Sequence, residues 1–134
     1  MEVKRASTVK ISVERFTRTV HAGTVIFRQG ETGHEMFVLQ SGKVRLSRAV
    51  GGVDVDVAEC GPGDFFGEMS ILNDRPRAAT AVAIEDAVLL VLDPPTFEAM
   101  IKANTEIAVR LLKKLAQRLE EANAHIERLT SPTP

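Results

Sequence analysis

The chain has 134 residues, long enough for one domain with a real core and too short for two. Hydrophobic residues make up 44% and charged residues 26%, the balance of an ordinary globule, and a formal net charge of −1 gives no basic footprint for nucleic acid. A single cysteine, Cys60, excludes an internal disulfide and any four-cysteine zinc or iron–sulfur site within the chain.

No apolar run approaches transmembrane length, and the polar start MEVKRASTVK does not read as a signal peptide. The expected location is the cytoplasm. Residues 1–12 carry Lys4, Arg5 and Lys10 among small and β-branched residues, and two readings stand, a frayed arm or an edge strand.

From Phe16 to Val91 the punctuation is that of an all-β domain. Thr24-Val25-Ile26-Phe27 is a short apolar run closed by Gln29-Gly30, and Met36-Phe37-Val38-Leu39 is another, ended by Ser41-Gly42. Val44 and Leu46, then Val53, Val55 and Val57, alternate with polar partners at the period of half-buried strands. Gly51-Gly52 between them is a hairpin signal. Gly61-Pro62-Gly63-Asp64 is a further turn, and Ala81 to Leu92 reads as two strands around Glu85-Asp86. Many short strands separated by glycine turns predict a sandwich or jelly roll.

The densest chemistry lies from Phe65 to Thr80, FFGEMSILNDRPRAAT. Gly67 lets a ligand approach its backbone, and Met69-Ser70-Ile71-Leu72 reads as one helical turn whose first N–H groups favour an anion. Asn73-Asp74-Arg75-Pro76 is turn chemistry that ends the helix. Arg77 then returns a fixed positive charge, followed by residues too small to block a ligand. Glu68 would repel a phosphate, so a sugar hydroxyl is its better partner. The alternative on spacing alone is a Glu68–Arg77 salt bridge closing a surface loop.

FGEMSILNDRPRAAT resembles the phosphate-binding cassette of cyclic nucleotide-binding domains, the family of the bacterial cAMP receptor regulators, kinase regulatory subunits and nucleotide-gated channels. Phe66, Gly67, Glu68, Ser70, Ile71, Leu72, Arg77, Ala78 and Ala79 carry the match. The resemblance extends to Ala22–Phe27 with Gln29-Gly30-Glu31, and to Met36–Leu39 with Ser41-Gly42-Lys43-Val44. It implies a mainly β chain with C-terminal α structure: a jelly-roll (double-stranded β-helix) barrel over about 13–92, then a short helix and a long dimerisation helix over about 96–129. The whole of 1–134 is then a single cyclic nucleotide-binding domain. By the same resemblance, Glu68 would hold the ribose 2′-hydroxyl and Arg77 the cyclic phosphate. Gly67, Met69, Ser70, Ala78 and Ala79 complete the expected ligand site, with backbone N–H groups of Ser70 and of Ala78 or Ala79 on the anion. Leu46, Val57 and Cys60 would project into the barrel and wall the base and sugar; the other reading makes them plain core.

After Asp93-Pro94-Pro95 the period changes. Thr96 is placed to cap a short helix over 97–102, and Asn104 to cap a second from Thr105 to about Leu129, about 37 Å at 1.5 Å per residue. Ala108, Leu112, Leu115, Leu119, Ala122, Ile126 and Leu129 form an a/d heptad series that suits a coiled-coil seam. A parallel homodimer through 105–129 is the expected assembly, as in the bacterial regulators that the chain resembles. The alternative is that this face covers the chain's own barrel. Thr130-Ser131-Pro132-Thr133-Pro134 cannot continue the helix.

In the family, cGMP-preferring sites often carry Thr after the cassette Arg. Ala78 offers no hydroxyl, so cAMP is the expected ligand, with cGMP the other candidate. Asn123 matches the place where the regulators' dimer helix contacts the adenine, and it can present both a donor and an acceptor. Ala122 lacks the hydroxyl that the best-matched members carry. The chain ends five residues after Leu129, where the transcription factors continue into a helix-turn-helix, so no DNA binding by this chain alone is expected. The output is expected through a protein partner or a further domain.

The expected activity is ligand sensing, not catalysis. A cupin-like metal enzyme would need clustered ligands, whereas His21, His34 and His125 are far apart in sequence. Haem sensing through His21 or Cys60 is a further alternative, and a dimerisation module with a silent pocket is the third.

Overall fold

The structure is a computed structural model, and it describes residues 17–130. The expectations for residues 1–12 and for the tail after Thr130 lie outside the described residues. Chain contacts divide the protein into two compact units that meet between Pro94 and Pro95.

The first unit is the β domain. Its strands are β1 (Thr17–Val20), β2 (Val25–Phe27), β3 (Met36–Ser41), β4 (Val44–Val50), β5 (Val53–Cys60), β6 (Phe65–Phe66), β7 (Thr80–Ala83) and β8 (Ala87–Leu92), with helix α1 (Glu68–Leu72) inserted between β6 and β7. They form two four-stranded antiparallel sheets, in the orders β1-β8-β3-β6 and β2-β7-β4-β5. This is the two-sheet sandwich that the glycine-punctuated strands predict.

The core explains which strands lie at the centre. Met36, Phe37 and Leu39 of β3 and Leu89 to Leu92 of β8 are all buried, so these two strands form the middle of the first sheet. Phe27 from the second sheet meets Phe37 and Phe66 from the first, with ring centroids 5.7 and 5.9 Å away, and Phe37 stacks on Phe66 at 5.2 Å. Each such aromatic pair adds about 0.5–1.5 kcal/mol beyond the area it buries. The triad therefore ties one sheet to the other.

The β4–β5 hairpin turns at Gly51 and Gly52, whose φ angles of 59° and 81° are those a two-residue primed turn demands. The pairing then slips: Leu46 faces Ala58 while Ser47 faces Asp56, so Val57 is the extra residue of a β-bulge. One expectation is corrected here. The resemblance places Val57 inside the barrel, but in the structure it is 51% exposed and does not belong to the core. The bulge interrupts the alternation of the strand at this residue. Cys60, by contrast, is buried in the core, and Leu46 packs against it half-buried.

The second unit holds α2 (Pro94–Ala103) and α3 (Thr105–Thr130). Helix α2 starts ahead of the Thr96 cap expected from sequence. Pro94 and Pro95 occupy its first turn, where the N–H that proline lacks has no helical acceptor anyway and φ is already suitable. Asn104 does cap α3: its side-chain Oδ1 accepts the Glu106 N–H at 3.0 Å. Glu106 then accepts from the Arg110 guanidinium at 3.0 Å, one turn on. Leu112, Leu119, Ile126 and Leu129 of the heptad series are each more than half exposed in the single chain. No helix among the described residues is long and apolar enough to cross a membrane.

Candidate functional site

Phe65 and Phe66 are both buried and anchor the start of the cassette as β6, hydrogen-bonded against Val38 and Phe37 of β3. Gly67 follows at φ 80°, a left-handed conformation that costs a side-chain-bearing residue about 1–2 kcal/mol. That reversal sends the chain straight into α1. Glu68 and Ser70 are buried on the inner side of this short helix, while Met69 and Leu72 face solvent. The Ser70 N–H, expected to be free for an anion, donates to the Gly67 carbonyl at 3.3 Å, a long helical-turn bond.

The helix ends with the Asn73 N–H on the Met69 carbonyl at 3.0 Å. Asp74 follows at φ 50°, and its Oδ1 lies 3.6 Å from His34 Nδ1 on the β2–β3 loop. Aspartate tolerates this left-handed region better than most residues. Met69, Asn73, Arg75, Pro76 and Ala78 line an open depression of about 650 Å³ beside the helix. Ala78 is exposed there and Ala79 is half-buried.

Arg77 is the centre of the arrangement. Its backbone is locked to the β2–β3 loop: its N–H donates to the Glu31 carbonyl at 2.9 Å, and its carbonyl accepts the Gly30 N–H at 2.8 Å. The side chain is only 6% exposed. Its Nη1 donates to the Glu35 carbonyl at 2.6 Å and to the Gly67 carbonyl at 3.3 Å. The guanidinium carbon lies over the Phe27 ring, 4.3 Å from the centroid, and 5.6 Å from that of Phe37. Burial lowers the pKa of the group from its ordinary value, and the nearby Glu35 and Glu31 carboxylates oppose that shift. The two carbonyls satisfy donors without cancelling the charge. A guanidinium so placed offers a second charge-assisted partner to an anion.

The structure thus brings Gly67 and Arg77, both expected from sequence, into direct contact. It also adds Phe27, Gly33 and Glu35, which the sequence reading did not single out as site residues. Asn123 lies exposed on α3 in the second unit. Among the described residues, no three His, Cys, Asp or Glu side chains come together as a metal site would require.

A two-sheet β sandwich with a short helix and a buried arginine between β6 and β7 is the architecture of a small-molecule-binding domain. The family described as cyclic nucleotide-binding domain matches residues 17–104, and the chain belongs to that family. It is 40% identical over 124 residues to the cyclic AMP receptor protein of Thermus thermophilus, covering 91% of this chain and 57% of that one. The solved catabolite activator protein of Thermus thermophilus superposes with a TM-score of 0.81 at 40% identity, over 91% of this chain and 58% of that one. The regulatory domain of Toxoplasma gondii PKA, solved with cAMP, superposes with a TM-score of 0.59 at 35% identity, over 62% and 32% of the two chains. This chain therefore spans little more than half the length of the Thermus relative. As a cyclic nucleotide-binding domain, it is similar to cAMP receptor and cAMP-dependent kinase regulatory proteins.

Proposed function

We propose that the chain senses cAMP in preference to cGMP, with the cyclic phosphate on Arg77 and the ribose 2′-hydroxyl on Glu68, and that it works as a regulator rather than an enzyme. The observation that carries this reading is the buried guanidinium of Arg77, held in place by neutral carbonyls and an aromatic face. An anion arriving there meets a positive charge whose position is already set, so little ordering cost remains to be met on binding. Glu68, buried one residue after Gly67, supplies a carboxylate for a sugar hydroxyl. Gly67, Met69, Ser70, Ala78 and Ala79 make up the rest of the proposed ligand site, and Leu46 and Cys60 a wall near it. The likeness to a cyclic AMP receptor protein and to a kinase regulatory domain solved with cAMP supports the choice of nucleotide, as does the lack of a hydroxyl at Ala78.

The second part of the proposal is a homodimer through α3. Four apolar residues of the a/d series are more than half exposed, a continuous stripe that a second copy of the same helix would cover. Asn123 then sits on the dimer helix, available to an adenine edge. Binding would bias the arrangement of cassette and helices, and through them a partner or further domain, by the difference in ligand affinity between two states.

Calorimetric titration with cAMP, cGMP and 5′-AMP tests the reading. Tighter binding of cAMP than of cGMP, with 5′-AMP weaker than both, is the expected order. No heat with either cyclic nucleotide would leave a dimerisation module with a silent pocket.

A further inference from the structure

Gly33 has no left-handed φ that would demand a glycine, yet its neighbourhood leaves no room for a side chain. A β-carbon built there would lie 2.5 Å from Nη2, 2.6 Å from Nε and 2.8 Å from Cζ of Arg77. It is almost equidistant from the two nitrogens and farther from the carbon between them, which places it at the two-pronged edge of the guanidinium. Elsewhere around the group the contacts are of a different kind. Phe27 lies against its face, and the Glu35 and Gly67 carbonyls take Nη1.

We infer that Gly33 is a positioning residue for the nucleotide phosphate: by lacking a side chain it admits the fork of Arg77 to its seat, and so sets the affinity for any cyclic nucleotide. This rests on the reading that Arg77 holds the phosphate. The φ of Gly33 lies outside the left-handed region, so alanine there meets no positive-φ strain. The overlap is with the far end of the Arg77 side chain and not with backbone, so the guanidinium, rather than the sheets, gives way. The fold is kept and the anchor is displaced. Glu35 lies two residues further on, so the same loop supplies both the opening and the Nη1 acceptor. The β2–β3 loop, rather than the cassette alone, then determines where the positive charge sits.

The experiment uses Gly33→Ala, Arg77→Met and the double variant. In the absence of ligand, the Arg77 Nε–H resonance in a ¹⁵N spectrum reports the seat directly. It should shift or broaden in Gly33→Ala while the amide spectrum of the sheets is retained. Titration of Gly33→Ala should show cAMP and cGMP weakened by the same factor, about ten- to a hundredfold for loss of one charge-assisted contact. In the Arg77→Met background, Gly33→Ala should have no further effect on affinity or on melting temperature, because the overlapping group is gone. An unshifted Nε–H, or wild-type affinity in Gly33→Ala, would overturn the inference. If the wild-type chain binds no cyclic nucleotide, the phosphate reading fails, and with it the role in affinity, while the Nε–H spectrum still decides whether Gly33 seats Arg77.

Discussion

The guanidinium carbon of Arg77 lies 4.3 Å from the centroid of the Phe27 ring. Phe27 belongs to the second sheet and closes the aromatic triad with Phe37 and Phe66 of the first. The charge proposed to meet the ligand is therefore braced by the same side chains that join the two layers. A change in one should be felt in the other.

Phe27→Leu removes the ring from both roles while keeping an apolar side chain. The expected cost is about 1–3 kcal/mol in urea unfolding, from lost aromatic pairs and lost cation–π attraction. Cyclic nucleotide affinity should fall in the same variant, and a stability loss without any affinity loss would separate the two roles.

Arg77→Lys keeps the charge and loses the fork, so cAMP and cGMP should both weaken, by about tenfold or more. Its pH dependence adds a second readout. Burial lowers the pKa of the cation at this position, and lysine starts from about 10.4, well below arginine. As pH rises through that lowered value the ammonium loses its proton, and with it the attraction for phosphate. Affinity of the lysine variant should therefore decline at alkaline pH, below lysine's ordinary value of about 10.4, while the native chain holds its own, as calorimetry at stepwise increasing alkaline pH would show.

Ala78 is exposed at the edge of the depression beside α1. Ala78→Thr supplies a hydroxyl and should strengthen cGMP binding by about three- to tenfold, the worth of one neutral hydrogen bond. Competition between the two nucleotides reads the change, and an equal gain for cAMP would argue against a contact with the base.

The stripe on α3 can be tested with one charge. Leu119→Glu places a carboxylate in the middle of the a/d series, where a partner helix would bury it. Sedimentation should show a dimer for the native chain and a monomer for the variant. A native monomer at high concentration would remove the dimer from the proposal.

Much of this arrangement was legible in the chain itself. The cassette could be read because its glycine, acid, apolar turn and arginine fall within sixteen residues, Phe65 to Thr80, and the chemistry they imply is local. The cap on α3 is equally local, since Asn104 and Glu106 are two residues apart. The seat of Arg77 was not legible. Its acceptor at Glu35 is 42 residues away, and Gly33 looks like any loop glycine until the guanidinium is beside it. The exposure of Val57 was not legible either, because one extra residue shifts the parity of a strand without changing its composition. The start of α2 shows that Pro94 and Pro95 can open a helix as well as stop one.

Among the described residues, strand β5 is the outer member of its sheet, and the residues from Val53 to Glu59 are all exposed. One side of its backbone therefore has no neighbouring strand among the described residues, next to Val53, Val55 and Val57. Such an edge invites sheet-to-sheet association between molecules. Asp54 and Asp56, interleaved with those valines, would bring like charges together whenever two such edges approached. Charges interleaved with valines in this way act as gatekeepers against edge-to-edge aggregation.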